Sequence, residues 1–353
     1  MLLLLLFVLL FVITIAVQTD SEYEKCEIFL PQKRYNFTDD MILVQPPELW
    51  LKYLKKTFEH LAAITHDGLV NEHHSFEHKA KFAYQEMLIP FISGAIFGLA
   101  ERSVYPKLRA KPLVKVFDQA VRDAGNDWSY MGVSMSGKKR LANVAQLIKK
   151  VIRSKIAGDY IETGVWRGGS SIYARGILRA YGHGHIKSYV GDSFAGLPYG
   201  DNKLHFAEEG YDGTAYLEVD ARTVANNFHR FGLLDDKVVF VKGFFNDTMG
   251  ELSKQVDKLA IMRLDGDMYS STVDVLYRLY EKLSIGGYVI IDDWADNFGA
   301  KKAVLDFMSV HVCNDLNKMV MIDDQSMYWQ KETAFAVNQR RYELKKFTEP
   351  LDE

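Results

Sequence analysis

The sequence predicts an α/β protein: a mostly parallel, seven-stranded sheet with helices on both faces, preceded by a helical extension. Three observations predict it. From about residue 125 onward, short apolar runs alternate with helical segments. The runs are apolar on both faces, as strands sandwiched between helix layers are. Glycines and carboxylates recur at their carboxyl ends, the edge where open parallel sheets hold ligands.

The composition supports a folded chain. Of 353 residues, 48% are hydrophobic and 25% charged, enough apolar material for a large core and unlike a disordered chain. Lys plus Arg number 43 against 46 Asp plus Glu, a net charge of −3 with no basic run, so nucleic acid is not an expected partner. Two cysteines, Cys26 and Cys313, exclude a disulfide framework and a cysteine-based zinc site. One bridge and two free thiols read equally well.

The chain opens on an apolar run from Leu2 to Val17, interrupted by Thr14 and closed by Gln18-Thr19-Asp20. It is longer than a usual signal h-region and shorter than the roughly 20 residues of a comfortable bilayer span. Residues 1–19 therefore read as a signal peptide, with a signal anchor in the membrane through residues 2–17 or a buried helix as alternatives. The first two place the protein in the secretory pathway, in the ER or Golgi lumen, or outside the cell. There Asn36-Phe37-Thr38 and Asn246-Asp247-Thr248 become glycosylation sequons.

Residues 20–124 form the expected helical extension. Leu49, Tyr53, Leu54, Phe58 and Leu61 recur at helical spacing, and Phe82 to Leu99 is a second apolar stretch, broken at Pro90 and Gly94. His60, His66, His73, His74 and His78 fit no metal-binding spacing and read as solvated or packed side chains. Asp123-Ala124-Gly125-Asn126-Asp127 reads as a linker to the main domain, 125–345. Its expected strands are Asp159 to Thr163, Ile186 to Gly191, Val238 to Lys242, Leu259 to Leu264, Tyr288 to Ile291, Lys318 to Ile322 and Thr333 to Val337. Between them fall helices over Lys138 to Ser154, Gly169 to Ala180, Thr223 to Phe231, Ser271 to Leu283 and Gly299 to Met308.

The loops after the strands carry the chemistry. The first, Glu162-Thr163-Gly164-Val165-Trp166-Arg167-Gly168-Gly169-Ser170, has glycines that let backbone approach a ligand at a helix amino terminus. Its G-x-x-x-G-G spacing is not the G-x-G-x-x-G of a dinucleotide site, and plain strand-to-helix packing uses glycines in the same way. In the second loop, Asp192-Ser193-Phe194-Ala195-Gly196-Leu197-Pro198, the acid at the strand end stands where a carboxylate holds the ribose hydroxyls of a nucleotide-type cofactor. The same residues also make a good turn or helix cap. The third loop sets Gly243 beside Phe244 and Phe245, suited to an adenine edge or to ordinary core packing.

A sharper pattern follows. Asp265-Gly266-Asp267 ends one strand and Asp292-Asp293 ends the next, with a single helix between them. One strand-helix-strand unit makes the strands parallel and neighbours, about 4.8 Å apart, with both carboxyl ends on one edge. Acids so placed repel unless protons or a cation neutralise them. Asp265, Asp292 and Asp293 form an oxygen-only set that suits Mg²⁺. Asp267 is aimed differently and is free to act as a base. Separate helix caps and solvated turn residues are the competing reading.

Five segments together resemble the TylF/MycF family of macrocin-type sugar O-methyltransferases, which depend on S-adenosylmethionine and Mg²⁺. They are Met135-Ser136-Gly137-Lys138-Lys139-Arg140-Leu141-Ala142-Asn143, Glu162 to Gly169, Asp192 to Pro198, Arg263 to Thr272, and Ile291-Asp292-Asp293-Trp294, spread over about 130 to 330. Tyr328-Trp329-Gln330-Lys331 also resembles that family's last strand. The resemblance implies a class I methyltransferase (Rossmann-like) fold. It implies that S-adenosylmethionine is contacted by Met135, Glu162, Thr163, Gly164, Val165, Gly169, Ser170, Asp192, Ser193, Phe194, Gly196, Leu197, Gly243, Phe244 and Asp265. It further implies that Asp265, Asp292 and Asp293 hold the metal, that Asp267 is the catalytic base and that a sugar or glycan is the acceptor. The apolar leader and about 100 additional amino-terminal residues depart from the family pattern. Those extra helices either cover the acceptor side or form a contact between copies in a homo-oligomer. Two other functions compete: a non-catalytic secreted carbohydrate-binding protein on the same fold, and a nicotinamide-dependent oxidoreductase, which the glycine spacing disfavours.

Overall fold

The computed structural model describes residues 27–29, 35–36, 76–95, 101–102, 114–115, 118–126, 132–198, 217–295, 299–311 and 318–348. The apolar leader, the histidines from His60 to His74, and the side chains of His78, Cys26, Cys313 and Asn36 lie outside what is described. Among the described residues no helix is long and apolar enough to cross a membrane.

The strands in chain order are β1 (Glu27–Phe29), β2 (Tyr35–Asn36), β3 (Glu101–Arg102), β4 (Val114–Lys115), β5 (Asp159–Thr163), β6 (Ser188–Asp192), β7 (Val238–Lys242), β8 (Leu259–Leu264), β9 (Leu283–Ile291), β10 (Val320–Met321) and β11 (Met327–Gln330). The helices are α1 (Phe76–Ile92), α2 (Gln119–Ala124), α3 (Lys138–Arg153), α4 (Gly169–Ala180), α5 (Ala221–Arg230), α6 (Phe245–Gln255), α7 (Tyr269–Leu279), α8 (Gly299–Val310) and α9 (Gln339–Glu343).

The main sheet runs β10-β11-β9-β8-β5-β6-β7-β1-β2, and β3 pairs with β4 apart from it. Strands β9, β8, β5, β6, β7 and β1 are parallel to their neighbours, whereas β11, β10 and β2 pair antiparallel. Six of the seven strands expected from the sequence are present, β11 stands in place of the seventh, and β1 and β2 extend the opposite edge. The chain builds outward from β5 through β6 to β7, then returns to lay β8 on the other side of β5. The reversal falls between β5 and β8, so the ligand crevice of an open parallel sheet lies at their carboxyl ends.

Alternation along each strand splits the core between the two faces. Tyr160, Val190, Phe240, Ile261 and Ile290 point to one face, under α1, α3, α4 and α5. Ile161, Tyr189, Val241, Met262, Val289 and Ile291 point to the other, under α6, α7 and α8. Helix α1 adds Ala83, Tyr84, Leu88 and Ile92 to the first cluster, so this part of the extension shares the core of the α/β domain.

Several expected boundaries move. Helix α1 runs through Pro90 and ends at Ile92, with Gly94 in the left-handed region at φ 74°. The linker-like segment begins as the last turn of α2, capped by Gly125. Thr333 to Val337 is not a strand. The last strand is β11, whose Met327 and Trp329 are buried while its backbone pairs with Ile291 through Tyr288. Phe335 instead stacks on Tyr280, with centroids 5.1 Å apart. Only Val320–Met321 of the expected Lys318 to Ile322 strand is extended against β11. The third loop is shorter than expected because α6 starts at Phe245, and the helix over Ser271 to Leu283 starts two residues earlier and closes in a 3-10 turn at Tyr280–Lys282.

Candidate active site

The loops after β5, β6 and β8 are tied into one platform. The Asp265 amide donates to the Thr163 carbonyl at 2.8 Å, and the Gly164 amide to the Gly191 carbonyl at 2.8 Å. Gly164 has φ 87°, and a Cβ there would lie 1.7 Å from the Asp265 carbonyl oxygen. Only glycine allows the two loops to abut at the switch point. Three non-glycine residues on these loops also adopt left-handed backbone: Trp166 (φ 48°), Phe194 (φ 54°) and Asp267 (φ 57°). Strained backbone of this kind gathers where a site is fixed by its surroundings.

Several residues expected to touch the cofactor have other partners. Asp192 is the knot of the platform: Oδ2 accepts the amides of Val165 (2.8 Å) and Trp166 (3.3 Å), and Oδ1 accepts the Phe194 amide (2.8 Å) and the Ser193 hydroxyl (3.4 Å). Three backbone amides tie this half-buried carboxylate to two loops. Glu162 is 1% exposed and binds Ser171 and Arg263 beneath the loop. Phe194 is core, its ring 6.0 Å from Phe240, and Thr163 is buried at 1% exposure. The Ser170 hydroxyl is buried against that of Ser136 at 3.1 Å. Gly169 packs under the Val133 carbonyl, where a Cβ would come within 2.5 Å. Ser193 donates to the Gly196 carbonyl at 2.5 Å, closing a tight turn in which Gly196 takes φ 82°. Met135, Val165 and Leu197 lie along this edge, the first and last half-buried. Gly243 has φ 140°, and Phe244 beside it is 38% exposed.

The acids of β8 and β9 do meet. One carboxylate oxygen from each of Asp265, Asp292 and Asp293 falls within 4.8 Å of the others. The register explains it, because Leu264 pairs with Ile291, Asp265 and Asp292 directly follow these last strand residues, and Asp293 comes next. The Asp267 amide donates to Asp293 Oδ2 at 2.9 Å, bringing the fourth acid into the group. Two arginines enter from below. Arg263 binds Asp265 Oδ2 (2.6 Å), Asp292 Oδ1 (2.5 Å), Glu162 Oε1 (2.5 Å) and Ser136 Oγ (3.0 Å). Arg140 binds Asp292 Oδ2 (2.7 Å), Asp323 Oδ2 (2.8 Å) and Gln325 Oε1 (2.9 Å).

These contacts divide the acids. Burial pushes Asp292 up, but Arg140 and Arg263 outweigh it and hold this carboxyl below its ordinary value. Burial raises Asp265 to about 6 against the pull of Arg263. Asp267 is pushed up to about 8 by burial and by Asp265, Asp292 and Asp192. Asp293 stands well above the usual carboxylate range, from burial and then Asp267, Asp265 and Asp292. The crowded acids lack enough positive charge, and a divalent cation would supply it. The donor set, three hard oxygens on neighbouring strand ends, fits Mg²⁺.

Sequence reasoning assigned no role to Arg140 or Arg263. For Arg263 a signal existed: a lone cation in the apolar run Leu259–Leu264, two residues before Asp265 and therefore on the same face of the strand. Arg140 reaches its partners Asp323 and Gln325 from 183 and 185 residues away in sequence, which local pattern cannot disclose.

The strand order, the loop platform and the acid-lined crevice at the switch point define a class I methyltransferase. A family profile described as macrocin-O-methyltransferase (TylF) matches residues 99–331. The chain belongs to that family. It is 39% identical over 224 residues to demethyldecarbamoylnovobiocin O-methyltransferase of Streptomyces niveus, a match covering 61% of this chain and 82% of that protein. It is equally identical over 224 residues to mycinamicin III 3''-O-methyltransferase of Micromonospora griseorubida, covering 61% and 85%. The solved structure of the O-methyltransferase NovP superimposes with TM-score 0.64 at 34% identity, covering 72% of this chain and 100% of that one. The protein is thus an S-adenosylmethionine-dependent O-methyltransferase. The non-catalytic and nicotinamide-dependent readings give way to it.

Proposed function

We propose that this O-methyltransferase acts on a hydroxyl of a sugar or glycan-type acceptor and requires Mg²⁺ held by Asp265, Asp292 and Asp293. The observation that carries the reading is the meeting of those three carboxylates within 4.8 Å at the ligand edge of the sheet. The names of the relatives, whose acceptors include the 3''-hydroxyl of mycinamicin III, support the acceptor class. A divalent ion at this place supplies Lewis acidity that lowers the pKa of an acceptor hydroxyl.

The chain's own residues do the rest. The Asp267 amide is bound to Asp293 Oδ2, which fixes residue 267 beside the cluster, and its carboxylate takes the hydroxyl proton as the methyl moves. Gly164, the turn at Ser193 to Leu197, and Gly243 with Phe244 form the walls for the methyl donor, and Met135 contributes to the same pocket. Orientation dominates the barrier, because the sulfonium already carries a good leaving group and needs only an in-line acceptor.

The test is methyl transfer by the full chain from S-adenosylmethionine labelled in its methyl group, offered to 6-deoxyhexose glycosides and, separately, to catechol. The expected result is label in a glycoside, abolished by EDTA and restored by MgCl₂. Transfer that survives EDTA removes the metal requirement, and transfer to catechol alone removes the acceptor class.

A further inference from the structure

Arg140 is the less buried of the two arginines bound to the acid cluster. Its guanidinium is 9% exposed and spans two carboxylates: Nη1 donates to Asp292 Oδ2 at 2.7 Å and Nε to Asp323 Oδ2 at 2.8 Å. The third nitrogen, Nη2, donates to Gln325 Oε1 at 2.9 Å. The Asp323 end of this bridge is itself built in, since Asp323 Oδ1 accepts the amides of Gln325 (2.9 Å) and Ser326 (2.8 Å). That turn is fastened to the strand end beside it: Ser326 Oγ donates to the Asp292 carbonyl at 2.6 Å, and the Trp294 amide donates to the Gln325 carbonyl at 2.6 Å.

We propose that Arg140 is a positioning residue that sets the divalent-ion affinity of the Asp265–Asp292–Asp293 cluster. It acts through Asp292, as a fixed counter-charge whose strength is tuned by Asp323. The inference rests on the metal reading given above. A cation arriving at the cluster must share Asp292 with a guanidinium that is always charged. Asp323, on the far side of that guanidinium, cancels part of its field. Affinity therefore reflects a three-charge chain, Asp323⁻–Arg140⁺–Asp292⁻. Arg263 is the deeper clamp, bound to Glu162, Asp265 and Asp292, and its removal endangers folding; Arg140 is the adjustable member.

The chain makes an opposite-sign prediction that a purely structural role does not. Removing the positive charge by Arg140→Gln tightens Mg²⁺ binding by about five- to tenfold, whereas Asp323→Asn, which leaves Arg140 less compensated, weakens it by about threefold. Arg140→Lys keeps the charge and stays within about twofold of wild type. Asn keeps the Oδ1 acceptor for the two turn amides, so the Asp323→Asn arm retains the local fold.

Calorimetric titration of each full-length variant with MgCl₂ reads the outcome without any turnover assay. Tighter binding in Arg140→Gln together with weaker binding in Asp323→Asn supports the inference. Should Arg140→Gln fail to fold, weaker binding in Asp323→Asn with unchanged binding in Arg140→Lys supports it alone. Weakening in both Arg140→Gln and Asp323→Asn, or affinities equal to wild type in both, overturns it and leaves the metal site standing. Absence of Mg²⁺ binding in the wild-type protein overturns the metal reading and this inference with it.

Discussion

Asp267→Asn lowers methyl transfer by roughly 10²- to 10⁴-fold, the scale set by loss of a positioned general base, while affinity for S-adenosylmethionine stays within about twofold. The substitution isolates the proton step. Asn has the shape of Asp and tolerates left-handed backbone, so the φ of 57° at this position is kept. The bond from the residue 267 amide to Asp293 Oδ2 is a main-chain contact and survives the change. The variant loses a carboxylate that can accept a proton at the ligand edge and little else. Initial rates with labelled donor and calorimetric binding of S-adenosylmethionine separate the two effects. Turnover within tenfold of wild type would show that another group takes the proton.

Arg263→Met destabilises the protein by about 3–5 kcal/mol, because removing one partner of a buried ion pair leaves uncompensated charge behind. Here the charge left behind is large: Glu162, Asp265 and Asp292 each lose a contact of 2.5 to 2.6 Å. Arg140 remains on Asp292 but not on Glu162, whose carboxyl is already raised to about 7 by burial that Arg263 and Ser171 only partly offset. Adding Glu162→Met to Arg263→Met should restore part of the loss, since apolar replacement of a whole buried pair is often close to neutral. Denaturant unfolding monitored by circular dichroism gives both numbers. An Arg263→Met midpoint equal to wild type would mean that the network does not hold the strand ends together.

How much of this was visible in the sequence follows from what each feature depends on. β5 to β9 were legible because strands buried on both faces must be apolar throughout, and Asp265 met Asp292 and Asp293 because one crossover helix between two strands leaves little choice of neighbour. β11 was placed by the family resemblance at Tyr328 to Lys331, whereas the apolar pattern put a strand at Thr333 to Val337; the edge of β9 pairs with the former. Helix α6 was missed altogether, in part because its cap, Phe244, offers no side-chain acceptor. Asp192 and Glu162 were recognised as special, but their partners are two loops' backbone amides and a buried arginine, neither of which announces itself in local sequence. The aspartates lie where the strand ends put them; the charges that balance them come from elsewhere in the chain.

The most direct measurement of the shared-ion claim is anomalous scattering from crystals grown with MnCl₂, Mn²⁺ standing in for Mg²⁺. One strong peak is expected, bounded by the carboxylates of Asp265, Asp292 and Asp293 and absent from an Asp293→Asn crystal treated identically. A map with manganese elsewhere, and Arg263 still closed on Asp265 and Asp292 around an ion-free gap, would contradict it.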